Sequence, residues 1–297
     1  MTTPLARRTL LASSTALAVA RPASARRTLD LKTPEDCLYA VVKLRGDLSG
    51  KMVYQWYTGM LSLLVPGKMP APVARYQGII RTTWTPQADG SFKYRTFDLG
   101  FYGDLETGRA VNTLVNPITG ETVEPTDVRD GPVESVYSVN GVFRDGAKPD
   151  PTKTLSLPWV TANDQVWYGA NLAFEYVNPL PPAQYPELSS TEKVMQRSIF
   201  TYKGRLSELE DDSTTSAPME TLMTVIATPH PWHKMGRIPG FGHIQTVSHK
   251  IARPEDAPPE VLDYIAKTMP DYLTAETPFI GAGNSFERYK RDRLGGS

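Results

Sequence analysis

The chain has 297 residues, 22% of them charged, and its 32 Lys+Arg balance 32 Asp+Glu to a formal net charge of zero. With no basic excess or basic stripe, nucleic acid and anionic lipid surfaces are not expected partners. The single cysteine, Cys37, excludes an intrachain disulfide, a cysteine zinc centre and an iron–sulfur cluster.

At the amino terminus, Arg7-Arg8-Thr9-Leu10-Leu11 places a twin-arginine pair before an apolar stretch, Leu10 to Ala20. Ala23-Ser24-Ala25 follows with the small-x-small pattern of a signal peptidase site. Residues 1–25 therefore read as a twin-arginine signal peptide cleaved after Ala25, and the mature protein is expected in the periplasm. The twin-arginine export machinery is then an expected partner. The apolar run is too short for a bilayer core of about 30 Å, and no later segment reads as a membrane span. About 270 mature residues suffice for one large core, so 26–297 is expected to form a single β-rich domain.

Thr33-Pro34-Glu35-Asp36 predicts a helix start: a hydroxyl cap, a proline in the first turn, then acids at the positive end of the dipole. Cys37 falls in the apolar pattern of that helix and reads as a buried, inert thiol. From Met52 the pattern changes to short runs rich in aromatic and β-branched residues. Residues 52–57, 76–84, 92–101, 111–115, 132–143, 166–177, 195–202 and 221–227 read as antiparallel strands. Gly90, Gly108 and Gly120 close turns that need positive φ. Asn178 to Pro186 holds four prolines and predicts a surface loop or lid crossing. Asp256-Ala-Pro-Pro-Glu260 starts C-terminal helices, the last over 286–293. The expected fold is mainly β: one antiparallel β-barrel-like or strongly curved sheet with a few flanking helices.

Arg75, Gln77, Arg81 and Thr83 share one face of the second strand, and Tyr76, Ile80 and Trp84 the other. Polar groups on both faces fit a barrel with a polar-lined pocket; they equally fit a sheet with one face in water.

Asp104-Leu-Glu-Thr-Gly108, with Asn116-Pro-Ile-Thr-Gly-Glu121, resembles the double turn of an exported bacterial family catalogued as domain of unknown function 1838. Pro231-Trp232-His233-Lys234-Met235-Gly236, then Pro239-Gly240, is similar to that family's carboxy-terminal signature, and Asn178-Pro-Leu-Pro-Pro fits as well. The resemblance covers roughly Leu38 to Leu273. It implies a shared fold and brings no activity and no functional residue with it.

All four histidines lie between His230 and His249. In a strand, His243 and His249 face one side about 20 Å apart, too far for one metal. Pro229 and Pro231 prevent a helix beginning before His230 and His233. No metal is the first expectation; a site of His230, His233 and His243 converging in a turn is the alternative. His233, beside Trp232 and the cations Lys234 and Arg237, is the first choice for a neutral acid/base catalyst. Its bland alternative is a loop histidine bonded to backbone. Glu175, among apolar residues, reads as paired with an arginine or catalytic. Tyr57 and Tyr176 are candidate proton donors. Trp56, Trp167, Tyr176 and Trp232 are candidates for a pocket wall. Arg75, Arg95 and Arg144 are candidate partners for Glu175 or anchors for an anionic group. Each of these residues has a structural alternative, core for the aromatics and ion pairing for the charges.

No nucleophile elbow, dinucleotide fingerprint, P-loop or zinc-protease motif occurs. The sequence thus leads to a periplasmic protein binding an apolar or aromatic small molecule in a barrel pocket. A cofactor-independent lyase or isomerase reaction by acid/base chemistry is one outcome; a non-catalytic carrier or an envelope interaction protein is the alternative.

Overall fold

In a computed structural model, which describes residues 26–144, 146–147, 149–276 and 284–295, the first element is helix α1 (Pro34–Arg45). The signal predicted at 1–25 lies outside the described residues. Thr33 accepts a hydrogen bond from Asp36 N, Pro34 occupies a position that needs no donor, and Glu35 and Asp36 fill the first turn. Cys37, Leu38, Val41, Val42 and Leu44 are buried, so this helix is enclosed rather than laid on the surface.

Strands β1 (Val53–Leu64), β2 (Ala71–Pro86) and β3 (Phe92–Gly103) are joined as antiparallel hairpins. A short pair, β4 (Leu114–Val115) and β5 (Thr122–Val123), precedes β6 (Val128–Ser138) and β7 (Gly141–Phe143). Next come β8 (Trp159–Ala162), β9 (Gln165–Val177), β10 (Lys193–Arg205), the short helix α2 (Leu206–Leu209), β11 (Glu220–Ala227) and β12 (Phe241–Ile251). Helices α3 (Pro259–Thr268) and α4 (Ser285–Leu294) follow. The turn glycines Gly90, Gly108 and Gly120 have φ of 82°, 72° and 76°. Two differences from the sequence reading stand out. Residues 111–115 give only a two-residue strand, and β12 adds a long strand beyond the series that ended at Ala227.

Among the described residues, one 10-stranded sheet runs β7-β6-β3-β2-β1-β12-β11-β10-β9-β8. Arg45 shows that it curls. Its guanidinium lies 5.4 Å from the ring centroid of Trp84 on β2 and 4.5 Å from that of Tyr202 on β10. β1, β12 and β11 separate those strands, so a flat sheet would hold them about 19 Å apart at the usual strand spacing. The fold is therefore mainly β, a large half-barrel-like antiparallel sheet with a few flanking helices.

The pleat sorts side chains onto two faces. Tyr57 lies opposite Gly78 and Ser248, and the registers carry its face through Tyr76, Trp84, Asp98, Tyr102, Ser198, Tyr168 and Tyr176. This is the inner face. The outer face carries Ile79, Phe97, Leu99 and Phe101, which pack against Val261, Tyr264 and Ile265 of α3 and against Tyr272 in the short turn that follows it. Inside, α1 fills one end of the wrap with Trp84, Val166, Tyr168 and Tyr202. Trp232, Met235, Leu180 and Phe286 fill the other with Leu61, Leu63 and Tyr102.

The paired parts of β7 and β8 are short, so β6 and β9 run as free edges over much of their length. α4 bridges the gap at one end: Arg288 pairs with Asp130 on β6 at 3.0 Å, and Phe286 meets Tyr176 on β9 at 6.5 Å. A Leu155 N to Val139 O hydrogen bond of 2.8 Å ties the other end. Between them, inner-face Val133, Leu172 and Phe174 are each about half exposed. They form an apolar lip to the interior.

Candidate functional site

Tyr57 reaches sideways across the inner face because two glycines clear its path. A Cβ at Gly78 or Gly100 would come within 2.4 or 2.3 Å of the Tyr57 hydroxyl oxygen. The phenol therefore lies over two strands and donates to Asp98 Oδ1 on β3 at 2.9 Å. Its oxygen is also 3.1 Å from the Tyr76 hydroxyl, so Tyr76, Tyr57 and Asp98 form a hydrogen-bonded chain. Asp98 Oδ2 has no hydrogen-bond partner among the described residues.

Asp98 lies on the inner face and keeps part of its surface open. Burial pushes its carboxyl up to about 7; Asp130, opposite it on β6, pushes the same way, and the Tyr57 bond pulls down. Burial, with the charge of Asp98 adding to it, holds both Tyr57 and Tyr76 well above the ordinary phenol value. Both are thus neutral donors at all physiological pH values.

Asp130 extends the cluster through its ion pair with Arg288. His230 packs at a tilt on Phe286 at 5.6 Å and is edge-on to His233 at 5.9 Å. Burial pulls His230 down to about 4; Asp130 opposes this and Arg288 adds to it. The imidazole is neutral at pH 7. Tyr176, pushed up to about 12 mainly by burial, stands on the same side. The arrangement combines a carboxyl that titrates near neutrality, neutral hydroxyl and imidazole groups, and one paired guanidinium. Such a set can move a proton and steady a negative charge.

Of the residues singled out in the sequence, Tyr57 and Tyr176 face this interior. His233 lies beside it but is buried against Trp232 at 4.0 Å, with neither ring nitrogen hydrogen-bonded among the described residues. Burial, with His230 adding to it, holds His233 well below the ordinary histidine range. Its carbonyl accepts from Asn116 Nδ2 at 2.5 Å, which joins the double turn to the Trp-His turn. Trp232 packs on Tyr102 at 4.9 Å in the same end of the core.

The other candidates stand apart from it. Glu175 is on the outer face of β9, paired with Lys193 at 2.6 Å rather than with an arginine. Trp56 packs at a tilt on His249 at 5.1 Å on the outer face, and Trp167 also points outward. Arg75 donates to Leu105 O and Glu106 O at 3.3 and 3.2 Å, bracing the first turn of the double motif. Arg95 pairs with Glu134 at 3.2 Å on the outer face, and Arg144 is exposed.

His243 lies on the outer face of β12, so the sheet separates it from His230 and His233. Among the described residues, no group of three or more His, Cys, Asp or Glu side chains is placed to hold a metal ion.

Sequence reasoning missed Asp98, Asp130, Arg288 and Arg45. A signal for Asp98 was present: Phe97-Asp98-Leu99-Gly100-Phe101 holds a lone carboxylate in an apolar run, with glycine two residues on. The reasoning applied to Glu175 selects Asp98 equally well. Asp130 and Arg288 had no such local mark, because they meet across the gap from distant parts of the chain.

No helix of the described residues is long and apolar enough to cross a membrane. No curated protein matches the chain. A family model described as "Protein of unknown function (DUF1838)" matches residues 50–290, starting after α1 and running beyond Leu273 into α4. The chain, with a match over most of its length that spans Tyr57, Asp98, Asp130, His230 and Arg288, belongs to this family.

Proposed function

We propose that the inner face is a small-molecule site in which Asp98 transfers a proton, making the protein a lyase- or isomerase-type enzyme that needs no cofactor. The observation that carries the reading is the enclosed Asp98 carboxyl, pushed up to about 7, with Oδ2 open and Oδ1 held by Tyr57. As carboxylate, Asp98 takes a proton from a weakly acidic C–H such as one next to a carbonyl. As carboxylic acid, it returns the proton at another position or to a leaving group. The Tyr76–Tyr57 chain steadies the ionised form. Neutral His230 and the Arg288 guanidinium meet negative charge developing on the substrate.

Val133, Leu172 and Phe174 at the lip favour an apolar or aromatic molecule, and Phe200 and Met223, paired on the inner face, continue that surface. Mature protein is incubated with a small-molecule extract in heavy water and followed by mass spectrometry. Wild type is expected to add deuterium to specific compounds, and Asp98→Asn to add none. Binding without any mass shift would instead establish the carrier reading. Neither binding nor exchange would remove both.

The Arg7-Arg8 pair supports a periplasmic location by twin-arginine export. Replacing both arginines by lysine is expected to retain the protein in the cytoplasmic fraction; unchanged fractionation would overturn this.

A further inference from the structure

At the α1 end of the interior, the Arg45 guanidinium stands without a counter-ion among the described residues. Arg45 ends α1, and its Nη1 and Nη2 donate to the hydroxyls of Tyr137 and Tyr94 at 3.2 and 3.3 Å. Its Nε is buried with no hydrogen-bond partner among the described residues. Its charged form feels phenols rather than carboxylates: Tyr202, Tyr168, Tyr137 and Tyr94 surround it. The negative end of the α1 dipole does not serve it either. Lys250 already takes the carbonyls of Lys43, Leu44 and Gly46 at 3.0, 2.8 and 2.9 Å. Asp47, the acid nearby, acts on Lys250 and is bonded to Ser49.

Unpaired buried charge is costly, and so are buried donors without acceptors. Both occur here together. The Tyr168 hydroxyl lies against Arg45, whose hydrogen-bonding pull works against the burial that raises its pKa, without closing a well-formed hydrogen bond; among the described residues Thr221 Oγ1 is buried without a partner. Tyr168 and Thr221 flank Tyr202 in one row of the inner face, and the Tyr202 ring lies 4.5 Å from Arg45. Arg45, Tyr94 and Tyr137 each keep part of their surface open. A planar two-oxygen anion satisfies such a fork and its flanking hydroxyls at once.

We propose that Arg45 anchors the carboxylate of the ligand. The inference rests on the inner face being a small-molecule site, and it names the class: an amphipathic carboxylic acid. Tyr94 and Asp98 are four residues apart on the same face of β3, about 13 Å along the strand. The acid end sits at Arg45, the apolar body runs past Phe200 and Met223, and the reacting carbon reaches Asp98.

The test titrates the mature protein by calorimetry with 6-phenylhexanoate, 6-phenylhexan-1-ol and 6-phenylhexylamine. The carboxylate is expected to bind about tenfold or more tightly than the alcohol, and the amine weakest. Arg45→Gln removes the preference and leaves alcohol affinity unchanged. Tyr168→Phe and Thr221→Val guard against a misfolded Arg45 variant. A purely structural role predicts no change in ligand affinity on losing orphan hydroxyls. The anchor predicts a severalfold drop for the carboxylate alone, with the melting temperature of the free protein kept or raised. Equal binding of carboxylate and alcohol, or a preference that survives Arg45→Gln, overturns the anchor and leaves the interior site standing. Binding of no probe overturns both.

Discussion

Gly78 and Gly100 decide what Tyr57 can touch. With any Cβ in either place the phenol must leave the lane, and its bond to Asp98 goes with it. Gly100→Ala is expected to cost about 1–3 kcal/mol in urea denaturation, as overpacking does. Because the Tyr57 bond pulls the Asp98 carboxyl down, its loss moves the Asp98 midpoint further up. The two titrating groups act on stability in opposite directions. Asp98 holds its proton more tightly folded than unfolded, so its contribution is full at acid pH and is lost as pH rises through about 7. His230, pulled down to about 4, contributes stability that is full above its ordinary value and is lost as pH falls through 6.5 toward 4. Asp98→Asn is therefore expected to gain on wild type as pH rises from about 4 to 7. His230→Gln should flatten the acid-side loss. Parallel pH profiles for wild type and each variant, from chemical denaturation, would refute these assignments.

Among the elements, α1 was the most legible, since Thr33, Pro34, Glu35 and Asp36 act locally and its cap is a matter of neighbours in sequence. What holds α1 inside the sheet was not legible. Lys250 comes from β12, a strand whose His243, Gln245 and His249 stand on its outer face between the inner Gly242, Thr246 and Ser248. Small and polar residues on both faces blur the period-2 signal, and the histidines invite a ligand reading instead. Lys250→Met is expected to destabilise the fold by about 1–3 kcal/mol, because Leu44 O loses its donor in a buried place, while Lys43 O and Gly46 O keep only Ala217 N and Ser216 Oγ. Urea midpoints measure it, and a change under 1 kcal/mol would contradict the capping role. The paired signature turns were read correctly as turns. Their union, through Asn116 to the His233 carbonyl, is a tertiary contact that neither motif announces.

At the scale of the molecule, strand runs and turn glycines made a curved antiparallel sheet predictable, while the extent of its wrap was not. Curvature depends on which strands adjoin, and β1 pairs with β12 from the far end of the chain. The candidate site inherits that limit. Tyr57 was legible as a candidate, but Asp98 is 41 residues away, and Arg288 crosses the gap from α4. Outer-face candidates such as Glu175, Trp56 and Arg95 were as conspicuous in sequence as inner ones, because one residue of register decides the face. The half-exposed lip gives a test at this scale. Phe174→Glu is expected to lower 6-phenylhexan-1-ol affinity by about tenfold while shifting stability by less than about 0.5 kcal/mol, as calorimetry and urea midpoints would record.

The most direct test of proton transfer at Asp98 is its own titration, followed by carbon-13 NMR of the carboxyl in ligand-free protein and assigned with Asp98→Asn. A midpoint near 7 is expected, with the Tyr57 ring resonances moving in step. A midpoint near 4, the ordinary aspartate value, would contradict the account, for such a carboxyl is ionised throughout the neutral range and cannot serve there as acid and base in turn.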